Sequence, residues 1–144
     1  MNYSLVALLY GMKFKKLLDI FLKPIENEYD LNKVDLQILF YLYSAGSLNT
    51  SKDIMELKLF TRGHISQSLG RLQKKGYVMI KQDMEDRRCT HNYLTSNVEE
   101  IINKLKSIFD QVQGILMKGV TEEEKKAVDS VVQKVNENIN QVIL

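Results

Sequence analysis

Apolar residues recur three or four positions apart through most of this chain, and only near its middle does the spacing change to that of strands. Leu5, Leu8, Leu9, Met12, Leu17, Ile20 and Phe21 predict a first helix over residues 4–22. Pro24 is expected to end or bend it. Asn32 can cap a second helix over residues 33–43, which Ala45-Gly46-Ser47 breaks. Thr50-Ser51-Lys52-Asp53 has the form of a capping box and opens a short helix through about Lys58. Thr61 and Gly76 then read as the N-cap and the residue just past the end of a further helix.

Two strand-like stretches follow, Tyr77 to Gln82 and Cys89 to Leu94, around a turn that is first acidic and then basic. From Ser96 the helical spacing returns, through Val98, Ile101, Ile102, Leu105, Ile108, Phe109, Val112, Ile115 and Leu116, until Gly119 stops it. Thr121-Glu122-Glu123-Glu124 is a second capping box, and Val128, Val131, Val132, Val135, Ile139 and Val142 line one side of the last helix. The fold class expected is mainly α with a small β-hairpin (α+β). A polar helix followed at once by a hairpin with a charged tip is the winged helix-turn-helix arrangement. In it the helix fills a major groove, and a cationic hairpin tip reaches the neighbouring minor groove.

The helix from Thr61 has an unusual surface. Ile65, Leu69 and Leu72 form its apolar stripe, and Gly63, His64, Gln67, Gly70, Arg71 and Lys74 fall opposite. That face holds no acid and no large apolar side chain, and its two glycines let the backbone approach a partner closely. A merely solvated face would usually mix Glu with Lys. The first helix and the two after residue 96 carry more apolar surface than a winged helix needs for its own core, so a partner subunit is expected.

Charge sharpens this reading only slightly. The chain carries +2 overall, but residues 50–91 hold nine Lys/Arg against five Asp/Glu, a local excess of four. At 144 residues one domain is expected, and 44% apolar with 26% charged residues is ordinary for a globular protein. No apolar run approaches the ~18–20 residues of a membrane span. The apolar run from Leu5 to Tyr10 leads into Lys13, Lys15 and Lys16 without a small-residue cleavage site. No signal peptide is therefore expected, and the cytoplasm is the simplest location. One cysteine, Cys89, excludes an intramolecular disulfide and multi-cysteine metal sites. Two neighbouring arginines can lower its pKa, although a single cysteine at the start of a strand is more often just a small residue. His64 and His91 show no ligand spacing, so no metal and no cofactor are expected. Without a nucleophile–base pair or a phosphate-cradling loop, the chain does not read as an enzyme.

Three segments taken together resemble the MarR family of bacterial transcriptional regulators. They are Arg71-Leu72-Gln73-Lys74-Lys75-Gly76-Tyr77-Val78, Asp83-Met84-Glu85-Asp86-Arg87-Arg88, and Leu94-Thr95. The helix order matches that family over essentially the full length. The resemblance implies a homodimeric winged-helix protein on double-stranded DNA, with residues 1–144 as a single MarR-like domain. Residues 32–95 would be the DNA-binding module, and 1–28 and 96–144 the dimerisation helices. It implies a repressor at a pseudo-palindromic operator, released by a small-molecule effector. The other function considered is a winged-helix protein-interaction module that has lost DNA binding.

On this reading Thr61 to Lys75 is the recognition helix. Its DNA-facing residues are Thr61, Arg62, Gly63, His64, Ser66, Gln67, Arg71 and Lys74, with Ser51 and Lys52 on the preceding helix. Gln67 and His64 suit base edges, whereas Thr61, Arg71 and Lys74 suit phosphates. Arg87 or Arg88 enters the minor groove, while Asp83 and Asp86 hold the other arginine and stiffen the wing. The resemblance also places an effector between the helices, where Tyr10, Phe14, Phe40 and Tyr41 are the candidate lining. Many family members have arginine in place of Gln67 and an acid in place of Gly70, so the bases read are not transferable. Asn97-Val98 replaces a common glycine, and the first helix has no cysteine, so a peroxide-sensing mechanism is not implied.

Overall fold

The structure, a computed structural model, describes residues 12–143, with side chains from Lys13 onward. The first part of the predicted helix over 4–22, and Tyr10 with it, lies outside the described residues. By its internal packing the chain divides into two compact units, one through Val112 and one from Gln113.

In the first unit, helix α1 (Met12–Tyr29) continues past Pro24. Of the end or bend expected there, the end is thus corrected. Proline removes one backbone hydrogen bond, at about 3 kcal/mol in a helix interior. Leu22 and Ile25 on either side are 0% and 3% exposed, and burying two such side chains returns roughly 1.5–3 kcal/mol each. The helix ends instead at Asp30, which takes φ +52°, and Leu31 N–H reaches back to Glu26 O at 3.0 Å. Lys75 completes this end by donating its ammonium to the Tyr29 and Asp30 carbonyls.

Helix α2 (Lys33–Ala45) opens on a capping box. Asn32 Oδ1 accepts from Asp35 N–H at 2.9 Å, and Asp35 Oδ2 accepts from Asn32 N–H at 3.0 Å. Helix α3 (Ser51–Glu56) opens on the box expected at Thr50 and Asp53 and ends two residues short of Lys58. Helix α4 (Arg62–Lys74) is capped by Thr61, whose hydroxyl accepts from His64 N–H at 3.1 Å. It closes where Gly76 takes φ +82°. There Tyr77 N–H bonds Leu72 O and Gly76 N–H bonds Gln73 O, the paired termination that favours glycine.

Strands β1 (Val78–Gln82) and β2 (Thr90–Leu94) pair antiparallel, with Val78 opposite Leu94 and Gln82 opposite Thr90. An isolated antiparallel bridge from Thr50 to His91 adds the α2–α3 loop to the free edge of β2. A single 3-10 turn over Ser96–Val98 leads into α5 (Glu99–Leu116). The core of this unit joins Leu22, Leu36, Leu39, Ile54, Leu72 and Ile101 into one cluster. Ile101, Ile102 and Leu105 of α5 are buried within the same cluster, so part of the apolar surface expected to serve a subunit contact closes the core instead.

The second unit contains the end of α5 and helix α6 (Glu122–Ile143), which opens on the reciprocal Thr121–Glu124 cap. No residue of α6 is buried. Val128, Val131, Val135 and Ile139 stand 41%, 43%, 38% and 42% exposed, a continuous apolar stripe at helical spacing.

Helices α2 and α4 are joined by the buried carboxylate of Asp35. Besides the Asn32 cap, it accepts Ser68 Oγ–H at 2.6 Å and Arg71 Nε and Nη2 at 3.1 and 2.9 Å. Asp35→Ala leaves the guanidinium, the Ser68 hydroxyl and the Asn32 amide without this partner. Arg71 retains 40% side-chain exposure, so the loss falls at the lower end for a broken buried pair, about 3 kcal/mol. Asp35→Ala combined with Arg71→Leu is expected to be more stable than Asp35→Ala alone, as read by urea denaturation.

Candidate nucleic-acid interface

Two surfaces of the first unit carry the residues singled out in the sequence, the outer face of α4 and the turn between β1 and β2. On α4, Ile65, Ser68, Leu69 and Leu72 point into the core. Thr61, Arg62, Gly63, His64, Ser66, Gln67, Gly70 and Lys74 are all exposed. A methyl group added at Gly63 or Gly70 would meet no heavy atom within 4 Å. Neither glycine serves the packing of the fold, yet each weakens an exposed helix by roughly 0.5–1 kcal/mol relative to alanine. On α3, Lys52 is exposed and Ser51 half-buried.

Arg71 is engaged within the fold. Helical spacing places it on the outward face, whereas its guanidinium is turned onto Asp35 as a two-point ion pair. These hydrogen bonds hold its pKa above the ordinary arginine value despite partial burial. The pair ties α4 to the start of α2. The signal was present but distant, since Asp35 lies 36 positions earlier.

The wing turn is also built differently from expectation. Asp83 does not clamp an arginine: its Oδ1 accepts the backbone N–H groups of Glu85 and Asp86 at 2.8 and 2.9 Å. Its Oδ2 lies 2.8 Å from His91 Nε2. Those contacts, led by the Asp86 amide, hold its carboxyl down at about 2 against the usual 3.8. Asp86 does meet an arginine, though loosely. Its Oδ1 accepts Arg88 N–H at 3.0 Å and lies 3.7 Å from Arg88 Nε, whose side chain is 95% exposed. Gln82 Nε2 donates to Arg87 O at 2.6 Å, which fixes the backbone at the arginine pair. Arg87 makes no ion pair among the described residues.

The wing is tied to the α2–α3 loop by groups that no local pattern flags. Asn92, 2% exposed, donates both its backbone and side-chain N–H groups to Asn49 O, at 3.0 and 2.8 Å. Asn49 Oδ1 lies 2.6 Å from His91 Nδ1. Only the tertiary fold brings position 49 to position 91.

Of the four aromatic residues considered for an effector, the three described ones stand in different surroundings. Tyr10 lies outside the described residues, and Phe14 is exposed. Phe40 stacks against Phe109 with ring centres 4.4 Å apart. Tyr41 alone lines an open groove of about 540 Å³, with Leu48, Asp53, Glu56 and Leu57, and its hydroxyl donates to Leu48 O. Cys89 is a half-buried free thiol. Among the described residues no cluster of His, Cys, Asp and Glu is placed to hold a metal ion, and no helix is long and apolar enough to cross a membrane.

A family model described as transcriptional regulator SarA/Rot matches residues 20–105. Among curated relatives, the HTH-type transcriptional regulator YwaE of Bacillus subtilis is 29% identical over 112 residues, 78% of this chain and 65% of that protein. The HTH-type transcriptional regulator Hpr of Bacillus licheniformis is 27% identical over 123 residues, 78% of this chain and 58% of that protein. The chain thus spans less than two thirds of the length of either. Among solved structures, transcriptional regulator PA3341 superposes with a TM-score of 0.82 at 18% identity, covering 97% of this chain and 99% of that one. MepR of S. aureus in its DNA-binding conformation gives 0.78 at 23% identity, with 96% and 99% covered. These structures establish the MarR winged-helix fold.

The Asp83 contacts set a pH dependence. A carboxyl held at about 2 when folded, against the usual 3.8, stabilises the turn fully above the unfolded value. The contribution fades as pH falls from 3.8 through about 2. Amide exchange at Glu85 and Asp86 is expected to accelerate over that acid window, relative to the intrinsic rate. Asp83→Asn is expected to exchange faster already at neutral pH and to lose the acid transition.

Proposed function

The chain belongs to the SarA/Rot family of transcriptional regulators, and we propose that it acts as a homodimeric repressor on a pseudo-palindromic DNA operator, released by a small-molecule effector. Residues 32–95 are the DNA-binding module on this reading, and residues 1–28 and 96–144 supply the dimerisation helices. The observation that carries it is the face of α4. It is free of acids, flattened by two glycines the fold does not need, and placed directly before a hairpin whose turn carries Arg87, unpaired among the described residues. MepR, which shares the fold, is described as crystallised in complex with DNA.

The geometry supports a set of roles. His64 and Gln67 face outward near the start and middle of α4, where side chains meet base edges. Thr61, Arg62, Ser66 and Lys74, with Ser51 and Lys52 on α3, supply phosphate and register contacts. Arg71 anchors α4 to the body through Asp35. Arg88 stays with Asp86, so Arg87 is the arginine assigned to the minor groove, whose negative potential rewards an unpaired guanidinium. The Tyr41 groove, which abuts α3, is the place assigned to an effector. The apolar stripe of α6 is assigned to a second copy of the chain.

Selection from a random-sequence duplex pool at low salt tests the central reading, with enrichment of an inverted repeat expected. Recovery of no preferred sequence would favour the protein-interaction module instead. On the selected duplex, Gln67→Ala is expected to cost roughly 1–3 kcal/mol and to relax preference at one base position. Gly70→Ala should raise the stability of the free protein by roughly 0.5–1 kcal/mol while weakening binding to every duplex. If Gly70→Ala binds as well as wild type, close approach of the helix is wrong. Val135→Asp with Ile139→Asp is expected to yield a monomer by sedimentation equilibrium and to lower operator affinity.

A further inference from the structure

We propose that Met84 is the apolar contact of the wing, entering the minor groove beside Arg87 and packing against the sugar edges that line it. The inference rests on the DNA-binding reading and names a second residue of the wing that touches DNA.

The segment between the strands is two turns in series. Asp83 N–H bonds Cys89 O at 2.9 Å and closes its neck. In the first turn Asp83 Oδ1 accepts from Glu85 N–H, which puts Met84 at the outer corner. In the second, Cys89 N–H bonds Asp86 O at 3.0 Å, which puts Arg87 and Arg88 at the corners. Asp83 Oδ1 also accepts from Asp86 N–H, and Gln82 Nε2 donates to Arg87 O. Hydrogen bonds within the hairpin thus hold the backbone that presents both Met84 and Arg87.

Met84 is 97% exposed, the highest value for any large apolar side chain among the described residues. Single apolar side chains are common on surfaces, so it is the position that matters. The fold gains no packing from a methionine held clear of its body, and turn corners ordinarily carry Gly, Asn, Asp or Ser. Apolar side chains, methionine among them, are what proteins that bind the minor groove insert there.

Charge gives the tip little attraction of its own. Residues 83–88 hold three acids and two arginines, a net charge of −1. Asp83 is taken up by the two amides, and Asp86 lies against Arg88. Glu85 and Arg87, of opposite sign, are left without an ion pair among the described residues. A guanidinium with an acid two positions away is weakly drawn into a groove walled by phosphates. Moving a methionine side chain out of water supplies the missing attraction, and it does so without charge.

Hydroxyl radicals cut DNA by attacking deoxyribose from the minor groove, so footprinting on the duplex recovered by selection reads this contact directly. Wild type is expected to protect short runs of sugars flanking the half-sites that α4 reaches. At saturating protein, Met84→Ala and Met84→Gln should open those sugars to cleavage, while Met84→Leu keeps them covered. In equilibrium binding the Ala and Gln variants should lose on the order of tenfold in affinity, and the Leu variant less than about twofold. The dependence of affinity on salt should be the same in all four proteins, because an apolar contact releases no counterions, whereas Arg87→Ala should make it shallower. Unchanged protection or unchanged affinity in Met84→Ala would overturn the proposal, as would Met84→Gln binding as tightly as Met84→Leu. Recovery of no duplex would overturn the DNA-binding reading and the contact with it, whereas a selected duplex bound equally by all four proteins overturns the contact alone.

Discussion

A single buried carboxylate sets the arrangement on which both candidate reading elements depend. Asp35 is fully buried, and its two oxygens accept from Asn32 N–H, Ser68 Oγ–H and two nitrogens of Arg71. A charge in that position is tolerable only because every lone-pair direction is answered. The same group caps α2 and grips the inner side of α4, so the helix that would read DNA is held against the start of α2. Lys75 adds a second tether one turn later, through the carbonyls that end α1. The outward set Gly63, His64, Gln67 and Gly70 is therefore fixed by what the inward side must hold.

The wing is positioned from the other end of the same helix. The loop after α2 delivers Asn49 and Thr50 to β2, where Asn92 and His91 bind them. Helix α2 thus serves as a common frame, with Asp35 near its start holding α4 and the loop past its end holding the hairpin. Rotation of α2 would alter both elements together. The open groove beside Tyr41 lies on this helix and on α3, so a molecule bound there would sit against that frame.

Local chemistry was legible in the sequence wherever it acts over a few residues. The caps at Asn32, Thr50, Thr61 and Thr121 and the glycine termination at Gly76 stand where short-range hydrogen bonding puts them. The two strands start within one residue of the stretches the sequence marks and end with them. Long-range contacts were not legible. Pro24 reads as a break until the burial of Leu22 and Ile25 is known. Arg71 reads as a surface cation until Asp35 is found beneath it, and His91 reads as an isolated histidine until Asn49 arrives from 42 positions away. Asp83 shows a finer limit. Its proximity to two arginines suggests a salt bridge, but nearby backbone amides are closer and already aligned, so the carboxylate turns to them.

These internal commitments change what the basic middle of the chain can do. Nine Lys/Arg in residues 50–91 suggest a broad cationic surface, yet Arg71 and Lys75 are engaged within the fold and Lys81 lies over the Tyr93 ring. Arg88 is partly neutralised by Asp86. The cations left unpaired among the described residues of this window are Lys52, Lys58, Arg62, Lys74 and Arg87. Each phosphate contact contributes about one unit to the salt dependence of binding, so these cations set an upper bound on that slope while reading no sequence. Discrimination has to come from close approach of α4 and from the placement of Arg87. Both depend on buried polar groups, Asp35 for the helix and Asn49, His91 and Asp83 for the wing, and none of these contacts DNA in the proposed assignment.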